Sequence, residues 1–373
     1  MQAYHEMQVW DGVSDARVGF ETATDGMPTA IAHMIENVNL TSALLTRIEE
    51  LGGVDLYESA RVVDISLGVD MRDDEGPDLS TWPVVRLSSG HALHARLLVG
   101  ADGANSPVRS FAGIESRGWD YDRHGLVATL AHADGFPLNE RHRIAYQRFL
   151  PTGPVAMLPL SGRCSTITWT TTPEYATLLK SLAPNDFVAM VNAAFRLRPV
   201  ELDYLHTMST GQAEEVAWRL QHTSVQVPPT VPHYVEAVHN QKAVSFPLRM
   251  RHADSYTKHR VALVGDAAHT MHPLAGQGLN AGQGDVASLA SCIEQAVAHG
   301  LDIGVALSLA PYASDRYLAN HILIGVCDKM HKLYSVGSGP LVSLRSWGLS
   351  AVNAMQPLKS FLMNQAAGGT SLF

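Results

Sequence analysis

A chain of 373 residues with 46% hydrophobic and 17% charged residues is globular in composition and long enough for two domains, which excludes a disordered or fibrous protein. Its formal net charge is −9 at pH 7 and no block of lysine or arginine exceeds two residues, so the electrostatic footprint of a nucleic-acid binder is absent. No apolar run approaches the roughly 18 residues of a membrane span, and Cys164, Cys292 and Cys327 have neither disulfide-framework nor metal-ligand spacing.

The cysteines therefore read as small buried apolar residues of a reducing compartment. The opening MQAYHEMQVWDG has the layout of neither a signal peptide nor a transit peptide. MQVWDGVSDARVGFE alternates as a strand pair. LTSALLTRIEELGG places Leu40, Leu44, Leu45, Ile48 and Leu51 at helical intervals, with Asn39 as the cap and Gly52-Gly53 as the stop. VDLYES, ARVVDISLGVD and WPVVRLSSGHALHARLLVGADG read as strands, the last turning at Ser88-Ser89-Gly90. The middle is richer in strand signals, from GLVATLAHA, RIAYQRFL, PVAMLPL and CSTITWTTT to AVSFPL, with one helical stretch near 184–196. From 284 onward the pattern is helical. That order predicts an α/β protein with an inserted sheet domain.

Two stretches carry chemistry. In ARLLVGADGANSPVR a buried strand runs into Gly100-Ala101-Asp102-Gly103, with Arg109 following on an expected helix. In RVALVGDAAHTMHPLAGQGLNAGQGD, residues 260–285, a second buried strand ends in Gly265-Asp266. Ligands of open α/β sheets lie beyond the carboxyl ends of the strands, so these two ends form walls of one crevice. Each aspartate can accept from sugar or ribityl hydroxyls, or cap the helix that follows it. After Pro273 the glycine-rich chain enters a helix whose amino terminus offers free N–H donors and roughly half a positive charge, suited to a delocalised anion without lysine or arginine. His269 and His272 read as loop structure, since no third ligand accompanies them as a metal pair.

GADGANSPVR and GDAAHTMHPLAGQGLNAGQGD resemble the two downstream FAD motifs of the aromatic flavin monooxygenases related to p-hydroxybenzoate hydroxylase. MQVWD, YQRFLPTGPVAMLPL, SFPL, HPLAGQGLNAGQGD and LRSWGLSAVNAMQPLK further resemble the ubiquinone-biosynthesis hydroxylases of the mitochondrial ring-carbon-5 type. The resemblance covers nearly the whole chain. It implies a p-hydroxybenzoate hydroxylase-like FAD-binding fold, an incomplete Rossmann-type domain carrying an inserted β-sheet substrate domain and C-terminal helices. The boundaries it suggests are 1–27 for the start of the substrate-domain sheet, 28–115 for the FAD-binding remainder, 116–255 for the β-rich substrate domain, 256–310 for the FAD-binding return and 311–373 for the C-terminal helices.

By the same resemblance Gly265 and Asp266 serve the ribityl chain, while Pro273 and the backbone of Gly276, Gln277, Gly278, Leu279 and Asn280 flank the flavin ring. Asp102 and Gly103 belong to a motif serving FAD and, in relatives, NAD(P)H. Arg109 falls on the pyrophosphate side, with an ordinary exposed helix arginine as the alternative. The implied reaction is hydroxylation of a polyprenylated phenol by dioxygen through a flavin hydroperoxide, with no catalytic side chain expected. FLPTGPVAMLPL and SFPLRM would line a polyprenyl tail or form ordinary sheet core. The implied setting is mitochondrial, at the matrix face of the inner membrane, with electrons from a donor such as a ferredoxin system and with other ubiquinone-biosynthesis proteins as partners. A peripheral membrane contact is expected from Leu341, Leu344, Gly348, Ala351, Met355, Leu358 and Leu362, widened by Trp347, Val352 and Phe361 and flanked by Arg345 and Lys359. The family's GxGxxG turn is not present. The expectation is an amino-terminally incomplete or natural short form, with a non-catalytic docking protein as the alternative.

Overall fold

The computed structural model describes residues 1–21, 23–24, 27–69, 78–133, 143–222, 230–239, 243–355 and 359. The chain forms two compact units, one of Met1–Gly52, Asp122–Leu248 and Met330–Phe373, the other of Gly53–Tyr121 and Arg249–Lys329.

The first unit is built on a sheet. The strand Glu6–Asp11 pairs antiparallel with Arg17–Glu21, as the alternating sequence predicts, and parallel with Ile144–Leu150. The sheet continues through Gly153–Pro159 and Cys164–Thr171 to residues 124–131 of the strand Ser116–His132. Alternate residues turn Trp10, Leu126, Val155, Ile167 and Trp169 into one core. Phe149, Leu150, Val155 and Met157 of FLPTGPVAMLPL are also buried, so most of that stretch is sheet core.

Four helices, Pro173–Ser181, Pro184–Ala194, Pro199–Leu205 and Gln212–His222, belong to this unit where the sequence suggested one. Three open with proline at the first helical position, where the missing N–H costs nothing. Being short, they offer little periodicity to read. Pro184–Ala194, the helix expected near 184–196, buries seven residues around its circumference, Asn192 included. The Arg148 guanidinium, itself buried, donates to the carbonyls of Ala194, Leu197 and Gly12, satisfying the end of that helix.

The helix Asn37–Leu51 starts after Glu36, so Asn39 lies inside its first turn and donates to Glu36 Oε2 at 2.6 Å instead of capping. VDLYES forms no strand, because the chain turns there with Ser59 at a left-handed φ of 54°.

The terminal helix Pro340–Ala354 is fastened to the first unit by a buried ion pair. Arg345 Nε and an Nη bond both oxygens of Asp11 at 2.9 and 3.0 Å, and the other Nη donates to the carbonyls of Leu333 and Val336. This corrects the expectation that Arg345 flanks a membrane-facing stripe: a bidentate partner inside the fold takes the side chain. Leu358, Phe361 and Leu362 lie outside the described residues.

The second unit centres on the parallel strands Leu98–Gly100 and Val261–Leu263, with Thr257–Lys258 beyond the latter. An antiparallel sheet of Val62–Leu67, Pro83–Leu87 and Ala92–His94 includes the expected hairpin at Ser88–Gly90. The helix Gly278–Ala298 and the helix that begins at Ala306 pack Leu289, Cys292, Leu309 and Tyr312 over Val261, Leu263 and Val264.

Two predictions follow from these contacts. Arg345→Met strands a buried carboxylate and is expected to destabilise the chain by about 3–5 kcal/mol in urea unfolding, and a loss below about 1 kcal/mol would contradict the pair's role. Burial pushes His132, His206 and His252 down to about 4, against about 6.5 when unfolded. Between those values the unfolded chain binds more protons, so stability is full above about pH 6.5 and falls steadily towards pH 4. Thermal melts across that window test this, and a melting temperature flat from pH 6.5 to 4 would contradict it.

Candidate functional site

Both chemical motifs lie in the second unit, and the strands that lead into them are neighbours. Gly100 stands opposite Leu263 in the parallel register, so Asp102 and Asp266 follow adjacent strand ends. Glycine at 100 is required by packing: a Cβ there would come within 2.9 Å of both Leu263 Cδ2 and Val108 Cβ.

The two aspartates differ in what holds them. Asp102 Oδ2 accepts from the Val108 N–H at 3.1 Å, joining Ser106, which caps the helix Pro107–Phe111 through the Arg109 N–H. Asp102 is thus committed in part to its helix. The Asp266 carboxylate is exposed and makes no hydrogen bond to the described residues. Helix capping does not occupy it.

Arg109 bridges the motifs. One Nη donates to the Ala267 carbonyl at 2.8 Å and the other to Ala104 at 2.7 Å. It locks the two turns together and is neither wholly exposed nor uncommitted.

Gly265 adopts φ 59°, a left-handed conformation that favours glycine. It also meets Gly282 of the following helix so closely that a Cβ on Gly282 would lie 3.4 Å from the Gly265 Cα. Between them the chain turns through the short helix Pro273–Ala275 and Gly276, again left-handed at φ 61°. The helix Gly278–Ala298 then begins with no side chain capping it. The first-turn amides of Gly278, Leu279 and Asn280 have no intrahelical acceptor. The Asn280 side chain bonds Gln277 Oε1 at 3.1 Å, bracing the turn.

A buried network behind the loop escaped the sequence reading. Asp285 is fully buried, accepting from Gly265 N–H at 3.0 Å and His269 Nε2 at 2.6 Å on one oxygen, and from Arg316 Nε at 3.0 Å and Asn320 Nδ2 at 2.9 Å on the other. Burial alone would push its carboxyl up, but these donors outweigh it and hold it below its ordinary value. His272 packs edge-on to Tyr121, with ring centroids 5.0 Å apart, and burial together with the nearby Asp328 carboxylate pushes the Tyr121 hydroxyl above its ordinary pKa. Both histidines are thus built into the loop's support, and among the described residues no three His, Cys, Asp or Glu groups gather as metal ligands.

An unengaged carboxylate for hydroxyls, glycine backbone open to close approach and an uncapped helix terminus form a donor and acceptor set that fits a flavin with its ribityl chain.

Comparison with known proteins agrees. The FAD binding domain family matches residues 5–302. The mitochondrial ubiquinone biosynthesis monooxygenase COQ6 of Saccharomyces cerevisiae is 39% identical over 386 residues, covering 99% of this chain and 77% of that protein. COQ6 of Schizosaccharomyces pombe is 39% identical over 376 residues, covering 99% and 76%. Among solved structures, pqsL, a probable FAD-dependent monooxygenase from Pseudomonas aeruginosa, matches with a TM-score of 0.63 at 20% identity, over 93% of this chain and 81% of its own. The fold is the expected α/β, p-hydroxybenzoate hydroxylase-like FAD-binding fold. With such identity to enzymes of one kind over nearly its whole length, the chain belongs to the COQ6 family of FAD-dependent ubiquinone biosynthesis monooxygenases.

Proposed function

We propose that this chain is a mitochondrial FAD-dependent monooxygenase that hydroxylates the aromatic ring of a polyprenylated ubiquinone precursor with dioxygen. Its relatives are named as mitochondrial ubiquinone biosynthesis monooxygenases, and the non-catalytic alternative draws no support from them. The observation that carries the reading is the uncommitted Asp266 carboxylate next to the uncapped start of Gly278–Ala298 in one loop.

Asp266 and Gly265 hold the ribityl chain, and Pro273 and the backbone from Gly276 to Asn280 flank the ring. Asp102 and Gly103 line the neighbouring strand end, and Arg109 supports the cofactor by fixing both turns. FAD supplies the activation of dioxygen, chemistry that no side chain can perform. The amides of Gly278, Leu279 and Asn280 favour negative charge on the ring by dipole, without a titratable group.

The finer reading includes a donor such as a ferredoxin system, neighbouring ubiquinone-biosynthesis proteins, and a membrane contact at the matrix face of the inner membrane. A precursor dissolved in lipid motivates the last. No helix of the described residues is long and apolar enough to cross a membrane. Leu341, Leu344 and Trp347, three residues apart on Pro340–Ala354, are 46%, 62% and 72% exposed. With Arg345 withdrawn and a net charge of −9, the contact is apolar insertion instead of attraction to anionic head groups.

Asp266→Ala removes the acceptor for the ribityl hydroxyls and is expected to weaken FAD binding by about 1–3 kcal/mol, tenfold or more, with little change in melting temperature. Flavin fluorescence titration measures this, and an unchanged dissociation constant would remove Asp266 from the site. For the membrane contact, Leu344→Ala/Trp347→Ala should reduce co-sedimentation with neutral phosphatidylcholine vesicles, while added salt should not. Equal pelleting of variant and parent would exclude this face.

A further inference from the structure

Asp285 lies beyond the loop residues that flank the flavin ring, yet its carboxylate closes that loop at the base. A carboxylate offers about four acceptor positions, and here all four are filled by donors from separate places in the unit. The two oxygens divide the work. Oδ2 holds the loop, through Gly265 N–H and His269 Nε2, and Oδ1 holds the helix that begins at Ala306, through Arg316 Nε and Asn320 Nδ2. The proton of the His269 contact must sit on Nε2, because the acceptor is an ionised carboxylate.

This arrangement has a cost that packing alone would not require. A fully buried charge is expensive to desolvate, and apolar residues of similar volume commonly give equal or better stability. What Asp285 gives is a fixed position for one backbone amide. Gly265 opens the short 3-10 turn Gly265–Ala267, so its N–H has no intrahelical acceptor and bonds the carboxylate instead. Gly265 in turn fixes Asp266, and Asp285 itself fixes the first turns of Gly278–Ala298. The two parts of the chain that meet the cofactor are therefore referenced to a single group. Arg316 lies at hydrogen-bonding distance from the same carboxylate, so the negative charge of Asp285 is balanced and does not oppose an anionic ring.

We propose that Asp285 is a positioning residue for FAD, holding the Gly265–Asp266 turn and the amino terminus of Gly278–Ala298 in register through its bonds to Gly265, His269, Arg316 and Asn320. The proposal rests on the reading that the 265–280 loop faces the flavin. Asparagine at 285 keeps the volume but removes the charge and replaces one acceptor with a donor, so it cannot satisfy all four donors.

The test uses the full chain loaded with FAD and compares Asp285→Asn, His269→Asn and Asp266→Ala with the parent. Three quantities are read: melting temperature, FAD dissociation constant and the reduction potential of the flavin that stays bound. Asp285→Asn is expected to raise the dissociation constant about tenfold or more and to shift the potential, under the opposed effects of a displaced helix terminus and an unbalanced Arg316 charge. His269→Asn leaves the Asp285–Arg316 charges in place and is expected to raise the dissociation constant by less and to move the potential to more negative values, because a displaced helix terminus stabilises the anionic reduced ring less. A loss of fold stability alone would leave the potential of the retained flavin where it was.

A folded Asp285→Asn protein with the parent's affinity and potential, alongside a weakened Asp266→Ala, overturns the proposal and leaves the loop reading standing. If Asp266→Ala also binds as the parent does, the loop reading fails and the proposal falls with it. If Asp285→Asn does not fold, His269→Asn decides: parental affinity and potential in that folded variant overturn the positioning role.

Discussion

The close approach of a strand end to a helix, at Gly265 and Gly282, sets the geometry of everything around it. A Cβ on Gly282 would already touch the Gly265 Cα at 3.4 Å, and Gly265 itself is left-handed, so both positions favour glycine where the turn after Val261–Leu263 meets the helix. Contact at that distance brings the Asp285 carboxylate to the Gly265 amide, and the carboxylate then draws His269, Arg316 and Asn320 together. The hydroxyl of Tyr312 adds a hydrogen bond to the Leu263 carbonyl at the same strand end. A rigid base of this kind is what a loop made largely of glycine needs, since glycine itself resists no displacement.

The loop also shows how a site can favour negative charge with its cations placed elsewhere. Arg109 bonds carbonyls on both turns, and Arg316 is directed at Asp285. What remains to meet a ligand is the backbone of an uncapped helix, whose dipole is fixed in direction and does not titrate. Arginine serves a comparable structural purpose in the first unit, where Arg148 and Arg345 are buried against carbonyls and, for Arg345, against Asp11.

Much of this was readable from the residues. The continuous apolar runs before Gly100 and Gly265 marked parallel strands, buried throughout at Val261–Leu263 but exposed at Val99 where burial was expected, and the glycines after Asp266 marked the approach to a helix terminus. Other features were hidden because they depend on partners far away in sequence. With the helix expected from 284, Asp285 reads as an acid of its first turn, but the helix begins at Gly278, and Arg316 and Asn320, more than thirty residues on, reach the carboxylate inside it. Arg345 sat beside an apolar stripe and suggested a lipid surface, but its partner is Asp11, 334 residues earlier. Of the helices in the middle segment only Pro184–Ala194 was legible; Pro173–Ser181, Pro199–Leu205 and Gln212–His222 were missed because segments of seven to eleven residues carry too few turns for helical periodicity to stand out. His269 and His272 could be placed in the loop from sequence, but not against Asp285 and Tyr121.

The central claim is that the segment from Gly265 to Asn280 is held ready by Asp285 and meets FAD through its backbone. Hydrogen–deuterium exchange of peptides covering residues 265–285, with and without FAD, tests it most directly. The expected result is slow exchange at Gly265 in both states and new protection at Gly278, Leu279 and Asn280 when FAD is bound. Exchange over 276–280 that is unaffected by saturating FAD would contradict the claim.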